Sequence, residues 1–365
     1  MSLRIIYGKS GSGKSKFCFD EIARLIKTEK KIYIITPEQF SFTAEKKLMD
    51  SIDTRAVINA EVITISRMAH RVLQELGGNT KTQLTKCGKS MLIYSILNEN
   101  KNNLKFLSKS DENIDLSMTA ITEFKKHGVL PQDLKQEIEN TDDQYLKTKL
   151  NDMFLIYSNF EQKLQGKYIE DTDLLTILSN IIEDSDIVRD SLIYIDEFSG
   201  FTYQEYEVLK KFIKLAKQIT ITVCTDSLEP SLKPDTDIFY PNKVTVSKIM
   251  NLVKEENLKL EKPVYLDEIP RFKTEELKYL EKNIFNNRAK KYDKKVENIK
   301  LFLAKNQYSE IENVAKQITK LVKNQGLKYR DISVITRNID TYSSLIRSIF
   351  AQYDIPVFID EKRDL

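Results

Sequence analysis

The chain has 365 residues, 41% of them hydrophobic, which is enough for two or three domains with buried cores and excludes global disorder. Its 57 basic and 54 acidic side chains leave a net charge of +3, so a polyanionic partner has to be met by local patches rather than by the field of the whole molecule. Cys18, Cys87 and Cys224 are far apart and the histidines are His70 and His127, which excludes a disulfide framework or histidine metal site; with no apolar run of signal or membrane length, a soluble cytoplasmic protein with no membrane partner is expected.

In chain order, residues 3–7 form a short apolar run that stops at Gly8, and residues 16–26 place apolar side chains at helical spacing, predicting strand, loop and helix. A buried strand over 31–35 is followed by Thr36-Pro37 and a helix from Thr43, and 61–65 supplies a third strand. Strands alternating with helices predict a parallel sheet. From about 85 to 184 the pattern is helix only, with apolar stripes at 91–97, 114–124 and 146–164, so an all-helical domain is inserted there. Phe17, Phe19 and the tyrosines of this insertion have core-like or half-buried spacing rather than that of a stacking ladder. Strand patterns resume at 191–195 and 218–224. Arg288, Lys290, Lys291, Lys294 and Lys295 then form a basic run that reads as a solvated linker, and 299–304 and 332–336 look like strands of another α/β lobe. The predicted organisation is a discontinuous α/β domain over 1–84 and 185–287, a helical insertion over 85–184, and a linker with a second lobe over 288–365.

Gly8, Lys9, Ser10, Gly11, Ser12, Gly13, Lys14 and Ser15 match G-x-x-x-x-G-K-[ST] and lie between the first strand and first helix, where a phosphate-binding P-loop has to be. The glycines let successive N–H groups face phosphate, the helix N-terminus adds positive dipole, Lys14 can reach the terminal phosphates, and Ser15 can ligate magnesium. Such a loop needs a carboxylate at the end of a neighbouring strand. Residues 192–195 run into Asp196 and Glu197, predicting Asp196 as a magnesium holder and Glu197 as the group that orients or deprotonates an attacking water. The ligand expected is ATP with Mg2+.

Two further stretches, 36–42 with Gln39 and Ser41, and 62–71 with Arg67, His70 and Arg71, resemble the single-strand-contacting motifs that follow the P-loop in superfamily 1 helicases. Together with 196–205 they resemble the AddB (RexB) family, which belongs to the bacterial AddAB helicase-nucleases, and the resemblance spans essentially the whole chain. It implies a RecA-like P-loop sheet with a helical insertion and, over 310–318, 329–337 and 355–360, the beginning of a second RecA-like lobe inside which residue 365 falls. It also implies a heterodimer with AddA that processes double-strand breaks, acting on single-stranded and duplex DNA ends. By motif, Gln39, Ser41, Arg67 and His70 match positions that face the single strand and take part in reading a Chi-type sequence. The nuclease of this family is a separate C-terminal domain with a 4Fe-4S cluster on four cysteines and its own Mg2+ site, and no residues here match it.

The chain departs from the family pattern at several points. Glu197 stands where the family often has Gly, and Cys224-Thr225-Asp226-Ser227-Leu228 lacks the Gln with which motor helicases sense the terminal phosphate. Ile65 and His70 replace aromatic residues expected if bases stacked there. Three readings follow: a nucleotide-binding module that scans the strand with little hydrolysis, a true translocating motor using Glu197, or a P-loop metabolic kinase with the insertion as a lid. Gln39 and Ser41 could equally satisfy their own loop, and Arg67 and Arg71 could form a solvated helix face.

Overall fold

The computed structural model describes residues 2–52, 59–78, 81–107, 112–286 and 288–361. The chain divides into two compact units, Met1–Phe272 and Lys273–Leu365. The first opens with β1 (Ser2–Gly8), α1 (Lys14–Leu25), β2 (Ile32–Ile35), α2 (Ser41–Ser51), β3 (Ala60–Ile63) and α3 (Ile65–Glu75). β4 (Thr82–Gln83), α4 (Lys86–Glu99), α5 (Glu112–Lys126), α6 (Pro131–Asn140), α7 (Gln144–Leu164), β5 (Tyr168–Ile169) and α8 (Leu174–Ile181) follow. β6 (Leu192–Ile195), α9 (Tyr203–Leu215), β7 (Gln218–Cys224), α10 (Tyr240–Glu255), β8 (Lys259–Leu260) and β9 (Val264–Tyr265) complete it.

Among the described residues the main sheet has seven strands in the order β3-β2-β6-β7-β1-β8, with β9 also paired to β1. Every pairing is parallel. Parallel strands are covered on both faces, and the sequence complies: all of β2 and β6 is buried, as are Leu3, Ile5 and Ile6 of β1. One core lies on the α3, α8, α9 and α10 face, with Met68, Leu178, Phe212 and Ile249; the other holds Phe19 and Ile22 of α1 with Leu48 of α2. The strand read at 61–65 ends two residues earlier, because Thr64 caps α3 by accepting a hydrogen bond from Arg67 N at 3.2 Å and Ile65 is already helical.

The helical insertion hangs from a neck. β4 pairs with β5, Thr82 opposite Tyr168 and Gln83 opposite Ile169, so the outgoing and returning chains run side by side. Between them α4, α5, α6 and α7 enclose their own core of Ile93, Ile121, Ile156 and Phe160. The last helix of the region, α8, sends Leu174 and Leu178 into the sheet core instead, since its apolar side faces α3 and α9.

A buried ionic network closes the base of the insertion. The Glu170 carboxylate pairs with Lys89 and Lys125 at 2.7 Å each, and Lys125 also meets Asp173 and Glu161 at 2.8 Å. Both ammoniums lie 5.5 Å from the Phe160 ring centre. Burial pushes Glu170 up, but Lys125 and Lys89 outweigh it and hold its carboxyl below the usual range; burial pushes Lys125 down, but Asp173, Glu170 and Glu161 outweigh it and raise it. The depressed Glu170 stabilises the fold above the unfolded carboxyl value of about 4.3 and loses that contribution as pH falls through its lower folded value. The raised Lys125 stabilises the fold below about 10.4 and loses it as pH climbs toward its higher folded value. The contribution of this network to the melting temperature is therefore expected to be flat between about pH 5 and 9 and to fall at both ends, and a Glu170→Gln variant should show a shallower acid limb.

In the second unit, α11 (Glu275–Asn283) precedes α12 (Gln307–Gln325) and α13 (Ile339–Gln352), the last two packing through Ile311, Ile318, Ile349 and Phe350. The strands expected over 299–304 and 332–336 are not strands here: both stretches lack a ladder, and Leu301, Leu303 and Ile335 are almost wholly exposed. An extended segment becomes a strand only when a neighbour takes its N–H and C=O groups, and the unit's described residues form helices around these stretches. The basic run is exposed, as expected of a solvated segment.

Candidate functional site

The glycine loop leaves β1 at the carboxyl edge of the sheet and turns straight into α1. Gly13 is the N-cap of α1 at φ 91° and Gly11 sits at φ 86°, both in the left-handed region that side chains avoid. No side chain caps α1 and no acid occupies its first turn, so the N–H groups and dipole of that terminus face the cleft without internal competition. Lys14 Nζ donates to Gly8 O at 2.8 Å and to Lys9 O at 3.0 Å. Burial holds its ammonium below the ordinary lysine value, against the pull of Cys224, Asp196 and Glu197 and with a further push from Arg271.

The partner carboxylates come from the end of β6, two strands away. Asp196 is buried, its N–H donates to Ile35 O at 3.0 Å, and its carboxylate accepts a short hydrogen bond from Thr222 Oγ1 on β7. Glu197 takes φ 65°, a backbone conformation where glycine costs nothing and another residue about 1 kcal/mol or more. That backbone turns the Glu197 carboxylate toward Ser15, whose Oγ donates to its Oε1 at 3.2 Å, and Lys47 Nζ lies 4.0 Å from the same oxygen.

Gly11, Gly13, Lys14, Ser15, Asp196 and Glu197 thus line one cleft of about 990 Å³, of a size to take a small ligand. The arrangement fits a triphosphate with a divalent cation: an uncapped helix N-terminus and an ammonium for the anion, a hydroxyl and buried carboxylate for the metal. Ser12 points inward, with its hydroxyl buried and unpartnered.

Arg271 is a member of this cleft that the motif does not reveal. β9 pairs in parallel with β1, Ile6 opposite Val264 and Tyr7 opposite Tyr265, so the chain after β9 emerges beside the glycine loop. Arg271 Nη1 donates to Ser10 Oγ at 3.3 Å, and a Cβ on Gly11 would lie 2.8 Å from that of Arg271. No spacing rule links residues so far apart in the chain; only the strand pairing does. Gly11→Ala meets both the positive φ and this crowding, and is expected to destabilise the chain by about 1–3 kcal/mol by displacing loop or arginine, as a thermal melt would show.

The other predicted residues lie outside the cleft. Gln39 is exposed in a short turn after β2, and Ser41 Oγ donates to Glu38 O at 2.9 Å, satisfying its own loop. Arg67 and His70 are exposed on α3. Arg71 does not join them as a free cation: its guanidinium forms a bidentate pair with Glu61 of β3. Among the tyrosines of the insertion, Tyr157 is buried, but Tyr145 is 61% exposed, against the expectation of a core or half-buried residue. It begins α7 and lies against Phe106, and sequence spacing alone does not show which turn of a terminal helix leaves the core.

A parallel sheet with this strand order, a glycine loop on its first strand and a carboxylate ending a strand two places away define a RecA-like α/β domain. The chain belongs to the family described as "ADDB, N-terminal", whose sequence pattern matches residues 5–281. It is similar to proteins whose names make them the B-type component of an ATP-dependent helicase/deoxyribonuclease. That of Clostridium botulinum (strain Loch Maree / Type A3) is 41% identical over 374 residues, covering 100% of this chain and 33% of that protein. Those of Clostridium tetani (strain Massachusetts / E88), 44% identical, and Thermoanaerobacter sp. (strain X514), 39% identical, are matched over 99% and 100% of this chain, and each over 32% of its own length. The chain therefore spans about a third of these relatives. No helix among the described residues is long and apolar enough to cross a membrane.

Proposed function

We propose that this chain is the nucleotide-binding, single-strand-contacting part of an ATP-dependent helicase-nuclease, which works with an AddA partner on DNA ends. The observation that carries the reading is the convergence of Lys14, Ser15, Asp196 and Glu197 from separate strand ends on one cleft at the carboxyl edge of a parallel sheet, where open α/β sheets bind ligands. The names of the relatives agree with it. In this reading the loop N–H groups and the α1 terminus hold the phosphates, Lys14 exchanges the carbonyls of Gly8 and Lys9 for terminal phosphate oxygens, and Arg271 adds a second cation from the β9 side. Ser15 and Asp196 hold Mg2+, which when bound neutralises phosphate charge. Gln39, Ser41, Arg67 and His70 present amide, hydroxyl, guanidinium and imidazole groups to a single strand and read a Chi-type sequence. Equilibrium titration of the chain with ATP–Mg, with and without an oligothymidylate, tests this: micromolar binding tightened by DNA supports it, and a folded chain that binds no nucleotide overturns it.

One observation favours the second reading, a true motor: the Glu197 carboxylate is held at the mouth of the cleft next to Ser15, where a group that activates water belongs. DNA-stimulated phosphate release by the heterodimer decides. A motor is expected to lose at least about a hundredfold with Glu197→Gln, whereas a scanning module is indifferent.

A further inference from the structure

The insertion carries an aromatic patch that its own core does not use. Phe106 and Tyr145 are 43% and 61% exposed and meet edge to face at 5.7 Å between ring centres. Lys149 Nζ lies 4.7 Å from the centre of the first and 4.2 Å from that of the second. The loop that presents Phe106 is not loose, because the buried Asp152 carboxylate accepts hydrogen bonds from the backbone N–H groups of Lys105, Phe106 and Leu107, at 2.6–3.2 Å. Burying a carboxylate to fix three N–H groups makes a rigid turn whose product, in packing terms, is a ring left in water.

We propose that Phe106 and Tyr145 form a base-stacking platform for single-stranded nucleic acid, with Lys149 and the exposed Lys105 taking the flanking phosphates. Rings fixed in advance beside cations suit an unpaired base, whose face needs a π surface and whose backbone needs positive charge; paired bases in a duplex offer no such face. The local charge agrees. Within 101–107 and 142–152 the chain carries Lys101, Lys105, Lys147 and Lys149 against Asp142, Asp143 and Asp152, of which Asp152 is engaged under the Phe106 turn and Asp143 caps α7 through Tyr145 N at 2.9 Å and Leu146 N at 3.2 Å. The platform lies on the helical insertion, so it is a contact additional to the sheet-edge one proposed for Gln39 and Arg67. It rests on the reading that this chain meets single-stranded DNA.

The test is fluorescence anisotropy of a labelled oligothymidylate on the full chain, with a duplex of equal length alongside. Phe106→Leu and Tyr145→Ala are each expected to weaken oligothymidylate binding about tenfold, with duplex binding unchanged; Tyr145→Phe, which keeps the ring, should bind as the wild type does. Phe106→Leu keeps an apolar side chain on the turn, and thermal melts of every variant check that the insertion remains folded. Wild-type affinity in both folded variants, or an equal loss toward duplex, would overturn the platform. An Arg67→Ala variant separates the two readings: weakening there alone sinks the platform but leaves the sheet-edge contact, and a wild type that ignores oligothymidylate sinks both.

Discussion

Lys14→Ala is expected to abolish ATP–Mg binding, by at least about a hundredfold in affinity, while leaving the melting temperature unchanged or slightly higher. Hydrogen bonds to charged groups are each worth about 1.5–3 kcal/mol, and in the proposed site the Lys14 ammonium, shared between terminal phosphate oxygens, makes more than one of them. About 3 kcal/mol is more than a hundredfold in affinity. The stability half follows from the charge on Lys14. Burial disfavours its ammonium, so the folded protein carries that cation at a cost which the carbonyls of Gly8 and Lys9 only partly offset. A side chain retained for structure alone would show the opposite pattern, losing stability on truncation. Calorimetric titration with a thermal melt on the same samples reads both quantities, and wild-type affinity in Lys14→Ala would remove the loop from any account of nucleotide binding.

Glu170→Ala should be strongly damaging although it lies away from the cleft, destabilising the chain by about 3–5 kcal/mol, the usual cost of breaking a buried ion pair from one side. Glu170 is the acid shared by Lys89 and Lys125. Removing it leaves Lys125 with Asp173 and Glu161, but leaves Lys89, which also donates to the Thr122 hydroxyl at 2.8 Å, as a buried cation without a carboxylate. For a unit of this size the loss corresponds to a fall of roughly 10 °C in melting temperature. The companion variant Lys89→Met with Glu170→Gln should recover much of it, because burying apolar volume in place of a pair is often neutral. Limited proteolysis would place the damage: cleavage should appear first within the insertion, whose core is separate from that of the sheet. Uniform unfolding of the whole unit would show instead that neck and sheet melt together.

Much of the α/β unit was legible in the sequence. Short β-branched runs flanked by turn residues marked β1, β2, β6 and β7, because strands buried on both faces have to be apolar throughout; helical periodicity marked α1, α4, α5 and α7, because each buries one stripe. The loop motif was equally plain, since glycine, lysine and serine are needed at fixed offsets by local backbone geometry, and the strand-ending Asp-Glu pair, common by itself, took its meaning from that loop. What was not legible depends on partners distant in the chain. The stretches 299–304 and 332–336 have strand composition but no neighbour to bond, so pattern alone overstated them. Arg71 has the spacing of a surface cation, yet Glu61 on the adjoining strand claims it.

The sequence by itself therefore determined the parallel α/β class, the position of the glycine loop and the residue types around it, all of which follow from interactions within a few residues. Only the tertiary structure decided that Arg271 closes on Ser10 and Gly11, that Glu197 turns toward Ser15, that Glu170 ties together two helices of the insertion, and that Phe106 and Tyr145 remain in water. Each of these is a contact between residues tens to hundreds of positions apart, set by strand register and by which helix faces are already covered. Periodicity records how a segment divides its own surface, and it carries no record of what the rest of the chain places against it.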